Sequence, residues 1–421
     1  MTGMLPHNHG VLQVEHCVDD DQSVLRTQYP HWAQRLSEAG YRTGYFGKWH
    51  IERTNRVENF GWQVNGCDAG AAYRGVGAGE EGADTLIGPE NLVKHTTGPE
   101  GYNPVLHYGV TDTPTSERRF ARITDNALTF LGEAVDEDAP WACCVSFSAP
   151  NTPLIAGRDA YEQYDVETID LPGNLPDELA DSPGLYRREQ RILADMTERQ
   201  WRELRAVYYA LVTEVDLQLG RLLDQLESAG QLDNTIVIIA SDHGRYVGAH
   251  GFDHHNVGAF EEIYNIPLIV AGPGVARQQT TDALVGLHDL CPTILELTGA
   301  RPIETSDARS FASVLADPAG QEGNYDTGFA EFHGTRFVLT QRVLWHGPWK
   351  FVFNGFDEDE LYNLSKDPCE LRNLAGDPSQ AERIRELMGM VWQHVRRSDD
   401  RALLGTHYCP MRIAAVGPNA T

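Results

Sequence analysis

The sequence predicts an α/β fold, a largely parallel sheet flanked by helices, with a small C-terminal α+β domain of antiparallel strands from about residue 325. Three observations predict it. Short apolar, β-branched runs at 141–147, 236–240 and 266–271 read as buried strands. Amphipathic stretches of helical period alternate with them. The tail then changes character, with runs at 329–344 and 349–354 that read as antiparallel strands and a covering helix at 378–397.

Each element follows from local signals. Residues 29–39 form a helix, with Pro30 near its start, Gly40 after its end, and Trp32, Leu36 and Ala39 on one face. A strand at 41–46 closes in Gly47-Lys48-Trp49-His50. Residues 51–110 are glycine-rich and aperiodic, the pattern of a long pocket-shaping excursion. The helix at 116–134 carries Phe120, Ile123, Ala127, Leu131 and Ala134 on one stripe. The strand at 141–147 ends in Ser148-Ala149-Pro150-Asn151, and 154–197 reads as irregular. The strongest helix, 198–229, is apolar at Val207, Leu211, Val215, Leu219, Leu222 and Leu226, and Gly230 stops it. A helix near Pro292 is stopped by Gly299. The expected division is 1–324 for the larger domain and 325–421 for the smaller.

Composition narrows the partners. A net charge of −27 argues against nucleic acid and anionic membrane surfaces. No apolar run approaches the roughly 20 residues that a membrane helix needs. The first residues show neither a basic n-region nor an apolar h-region, so the chain as it stands reads as cytoplasmic, with export left open should it begin upstream. Seven cysteines with irregular spacing and no C-x-x-C pattern fit free thiols in a reducing compartment. Oligomeric state is not legible.

The chemistry gathers where strands end. In a parallel sheet the carboxyl ends share one edge, and ligands bind there. That edge would hold Lys48 and His50, then Asn151, then Asp242 and His243. His250, His254 and His255 follow within thirteen residues of Asp242. Lys48 stands out because the chain has only four lysines. A metal on Asp242 and His243, with Lys48 and His50 around an anion, suits attack on a sulfate or phosphate ester, whose developing charge needs fixed cations. Trp62, Tyr73, Tyr102 and Tyr161 could stack on a sugar or aryl group.

These residues carry a resemblance to the sulfatases of the alkaline-phosphatase superfamily. It rests on Thr2-Gly3-Met4-Leu5-Pro6-His7-Asn8-His9-Gly10, on Gly44-Tyr45-Phe46-Gly47-Lys48-Trp49-His50, and on Ser241-Asp242-His243-Gly244 with Gly248-x-His250-Gly251. The tail adds Gly347-Pro348-Trp349-Lys350 and Glu360-Leu361-Tyr362-Asn363-Leu364. The resemblance implies an alkaline-phosphatase-like fold and a hydrolase of small-molecule or carbohydrate sulfate esters. It implies a divalent cation, calcium before magnesium or manganese, and a formylglycine nucleophile made in a C/S-x-P-x-R motif. Asp242 and His243 would be metal ligands; Lys48, His50, Asn151 and His255 would be catalytic.

Three departures stand out. The C/S-x-P-x-R motif is absent from residues 1–421, and the expectation is that it lies upstream of Met1 with a central strand and paired aspartates. Asn151 takes the place of a family histidine. His255 takes the place of a family lysine, and its partial charge near neutral pH would make leaving-group protonation pH-dependent. A phosphodiester or phosphonate monoester hydrolase of the same superfamily and an inactive sulfatase paralogue remain as alternatives.

Overall fold

The computed structural model describes residues 1–67, 92–96, 98–255, 257–304, 307–335, 338–405 and 412–420. Helix α1 (Trp32–Glu38) leads into strand β1 (Arg42–Gly47). Strand β2 (Val64–Cys67) follows, then β3 (Val93–Thr96) and β4 (Val105–Thr111). Helix α2 (Arg119–Ala134), strands β5 (Trp141–Ser146) and β6 (Leu154–Gly157), and helix α3 (Glu198–Ser228) come next. Strands β7 (Val237–Ala240) and β8 (Leu268–Ala271) precede helix α4 (Leu290–Thr298). The tail holds β9 (Thr327–Phe332), β10 (Gln341–His346), β11 (Trp349–Asn354), β12 (Glu360–Asn363) and helix α5 (Ala381–Arg397).

β1 is the centre of a parallel sheet, paired with β2 on one side and β5 on the other. The apolar stripe of α2 packs Ile123, Ala127, Phe130 and Leu131 against Phe46 of β1 and against Leu226 of α3. The α3 stripe at Val207 and Leu211 instead covers β4 and β6 through Tyr108, Val110, Leu154 and Ala156. Thr197 caps α3 by accepting from Gln200 N–H, and the Gln200 side chain bonds back, a reciprocal cap that fixes where the helix starts. Gly299, at φ 65°, ends α4 in the left-handed cap that glycine takes most easily.

The four tail strands form one antiparallel sheet in the order β12-β11-β10-β9, covered by α5 through Leu387, Met388, Val391, Trp392 and Val395.

Four expectations need correction. The stretch 51–110 is not all loop, because it contains β2, β3 and β4. Likewise 154–197 contains β6, which pairs in parallel with β4. Both strands are four to seven residues long and punctuated by glycine, so their period is too brief to register. β8 runs antiparallel to β7, not parallel. β5, β7 and β8 are also only half-buried, and Ile269 is 59% exposed. Among the described residues β5 pairs only with β1, and β7 only with β8.

The N-terminal residues are clasped to the tail sheet. His7 Nδ1 lies 2.8 Å from Glu331 Oε2 on β9, and His7 Nε2 lies 3.0 Å from the Ser398 carbonyl. Both partners only accept, so both ring nitrogens must donate, which requires an imidazolium. Burial lowers the His7 pKa, but the Glu331 carboxylate more than reverses this and brings it to about 8. His333 and Arg342 also face Glu331, at 3.4 and 3.5 Å, and Arg342 pairs with Asp400 at 2.6 Å. On the other side, Asn8 donates to Asp307 and Arg26 to the His7 carbonyl. The raised pKa gives stability that is fully present below the ordinary value of 6.5 and lost as pH rises through about 8. Thermal melts between pH 6 and 9 should show a loss of about 1 kcal/mol, after allowance for solvent screening, that His7→Gln does not share. The same loss in His7→Gln would assign it to another group.

Candidate functional site

β1 ends in Gly47, at φ 96°, where a side chain would run into the Ser146 carbonyl of β5. Glycine therefore permits the close approach in which Lys48 N–H donates to that carbonyl at 2.9 Å. From this anchor the Lys48 ammonium comes to 3.7 Å from Asp242 Oδ2, just past the end of β7. Lys48 is 16% exposed and the Asp242 carboxylate 67%, so the pair opens to solvent. Burial would raise the Asp242 pKa, but the charges of His243 and Lys48 bring it below the usual carboxylate value. Gly244 pins the loop: its N–H donates to the Ile263 carbonyl at 2.9 Å, and a Cβ would strike the Glu262 carbonyl.

His243 Nδ1 lies 2.9 Å from the Gly244 carbonyl. A carbonyl accepts only, so Nδ1 carries the hydrogen, and the neutral form of His243 presents its lone pair at Nε2. That Nε2 is 3.8 Å from Asp242 Oδ1. An oriented imidazole lone pair beside an open carboxylate fits two ligands of a divalent cation, with the tautomer set by a backbone acceptor. Two donors are too few for a complete site.

The remaining predicted residues are placed as follows. The His255 ring stacks on His243 at 3.8 Å between centroids. Burial lowers its pKa to about 3, with the charges of His243, Arg245 and His254 adding to the effect. His255 is therefore neutral at neutral pH, which corrects the expectation of partial charge. His50, at φ 41°, has Nε2 3.7 Å from Oε2 of the buried Glu15, whose own pKa burial raises. Asn151 joins the Asp242 loop through Arg245, whose Nη1 lies 3.4 Å from Asn151 Oδ1.

The four histidines part company. His250 is a core residue, bonded to Asp177 at 2.7 Å and Asn174 at 2.9 Å and stacked on Phe260. His254 turns toward His107, with ring centroids 5.8 Å apart. Of the aromatics, Trp62 is buried in the core beside Trp32 and Tyr45, Tyr102 is 73% exposed, and Tyr161 packs against the α3 cluster. Tyr73 lies outside the described residues.

Reading the sequence missed Glu15, His107, Arg245 and Asp253. Asp253 is buried and accepts from Arg245 Nε at 2.8 Å, from Arg245 Nη2, and from His107 Nε2 at 2.6 Å. Burial would raise its pKa, but Arg245 and His107 hold it well below the carboxylate range. Arg245 lies inside the quoted motif region and Asp253 two residues past it, so an Arg–Asp pair eight residues apart was the available signal. His107, Asp253 and His254 also bring ligating atoms within 4.8 Å, as do His7, Glu331 and Asp400. In each set a guanidinium already faces the carboxylate, Arg245 in one and Arg342 in the other, and that opposes a dication.

The Sulfatase family model matches residues 1–300, which include the ends of β1, β5 and β7. This chain belongs to the sulfatase family. A second model, described as N-sulphoglucosamine sulphohydrolase, C-terminal, matches residues 248–397 of this sulfatase. The chain is 27% identical to a choline-sulfatase of Rhizobium meliloti (strain 1021), covering 90% of this chain and 72% of that protein. Two solved structures share the fold. A 2-O GAG sulfatase aligns with a TM-score of 0.70 at 22% identity, covering 95% of this chain and 81% of the other. A phosphonate monoester hydrolase from Silicibacter pomeroyi aligns with a TM-score of 0.75 at 22% identity, covering 94% and 84%.

Proposed function

We propose that this sulfatase hydrolyses sulfuric esters of a small molecule or carbohydrate at the Lys48–Asp242–His243 centre. The observation that carries this is the Lys48 ammonium 3.7 Å from Asp242, beside the oriented Nε2 of His243, in a chain of the sulfatase family. Lys48 binds the sulfate group and balances the charge that grows on it as the ester bond breaks. Asn151 donates its amide N–H to a sulfate oxygen but cannot give up a proton. His50, 3.7 Å from Glu15, steadies the anion or helps to expel it. Neutral His255 packs His243 in place and contributes no charge.

Asp242 and His243 would hold the divalent cation, calcium or in its place magnesium or manganese. That cation would add positive charge at the sulfate oxygens when bound. A formylglycine would supply the attacking oxygen. It belongs to a C/S-x-P-x-R motif that does not occur in residues 1–421. Among the described residues β5 and β7 each leave a half-buried edge unpaired, which supports a further strand beside them; in this reading that strand carries the motif. Cys17, Cys143, Cys144, Cys291 and Cys369 are free thiols, which supports a cytoplasmic setting. No described helix is long and apolar enough to cross a membrane.

The likeness to a phosphonate monoester hydrolase fold keeps one second reading, cleavage of phosphonate monoesters at the same centre. Paired assays separate the two, with a higher kcat/KM for an aryl sulfate than for an aryl phosphonate monoester expected here.

A further inference from the structure

Asn151 Oδ1 accepts from two donors, the backbone N–H of Thr152 at 2.8 Å and Arg245 Nη1 at 3.4 Å. The atom that faces two donors must be the amide oxygen, so the Asn151 carboxamide has one orientation only. Its Nδ2 has no protein partner among the described residues. The side chain is thus a fixed pair of N–H donors at the carboxyl edge of the sheet.

What holds it there is built at some cost. Arg245 and Asp253 are a buried ion pair, and His107 donates to the same carboxylate from β4. Taking two charges out of water is unfavourable, and such pairs rarely repay it in stability alone. Here the Arg245 fork leaves Nη1 over, and Nη1 spans the 151–152 turn, donating to Thr152 Oγ1 at 2.8 Å as well as to Asn151. Arg245 comes from the loop after β7 that carries Asp242 and His243. One guanidinium therefore locks the turn bearing Asn151 to the loop bearing both candidate metal ligands.

We infer that Arg245, braced by Asp253 and His107, is a positioning residue that turns the Asn151 amide N–H groups toward a bound sulfate oxyanion. The inference rests on the sulfate-binding centre proposed above. It makes the asparagine a working donor rather than a weakened histidine. The guanidinium accomplishes this without touching substrate.

The test uses the 421-residue protein labelled with ¹⁵N-asparagine and titrated with sodium sulfate, with chloride at matched ionic strength as control. The Asn151 side-chain NH₂ signals, identified by their loss in Asn151→Ser, should move and saturate with sulfate. Arg245→Gln should weaken that response by about 3–10-fold, the worth of one lost hydrogen bond. Thr152→Val removes the 2.8 Å bond without disturbing the buried pair and should weaken it by at least about 3-fold, so it decides alone if Arg245→Gln does not fold. A normal saturating response in both folded variants would overturn the positioning role while leaving the centre intact. Calorimetric sulfate binding that is unchanged in Lys48→Ala would instead remove the proposed centre, and the inference with it.

Discussion

Lys48→Ala is expected to lower kcat/KM for an aryl sulfate by about 10²–10³-fold in the protein that includes the nucleophile motif. The ammonium is 3.7 Å from Asp242 and anchored through its own backbone to Ser146, so neither element can shift to replace it. Lysine is scarce, and the other three are elsewhere: Lys350 is buried between Glu261 and Glu370 in the tail, and Lys94 and Lys366 are remote in sequence. Arginine in its place should restore only part of the rate, because a planar fork does not match a compact point charge. The fold should be unharmed, since Lys48 belongs to no core cluster and its partner Asp242 opens to solvent, and a thermal melt checks this. A loss smaller than about fivefold in a folded variant would take Lys48 out of the mechanism.

The second large effect concerns the nucleophile. The 421-residue protein by itself is expected to show no aryl sulfate turnover above background, because no C/S-x-P-x-R motif lies within it. Protein expressed with the in-frame codons upstream of Met1, in a host that makes formylglycine, is expected to turn over. Those codons should encode paired aspartates and the motif. An in-frame stop codon close upstream, or robust turnover by the 421-residue protein, would remove the formylglycine from the account.

Much of this was legible in the sequence, and the reasons are local. α3 is long and caps itself through Thr197 and Gln200, so its period and start could be read directly. The Lys48 and Asp242 positions were legible because each follows a strand, and strand ends gather at one edge. β3, β4 and β6 were not legible, because short strands among glycines carry too little period. The histidines were legible as a group but not as individuals. Four within thirteen residues suggested one site, yet His250 is held by Asp177 and Asn174 and His254 turns to His107. The neutral state of His255 depends on burial, which no local pattern records. Arg245 holding Asn151 joins residues 94 apart in sequence, and only the folded chain brings them together.

The proposed centre for sulfuric esters is Lys48, Asp242 and His243. Steady-state assays of the motif-bearing protein, with an aryl sulfate and an aryl phosphonate monoester side by side, and with Asp242→Asn as control, test it most directly. The expected result is a higher kcat/KM for the sulfate and a loss of at least about 100-fold for that substrate in Asp242→Asn. A preference for the phosphonate, or sulfate turnover that survives Asp242→Asn, would contradict it.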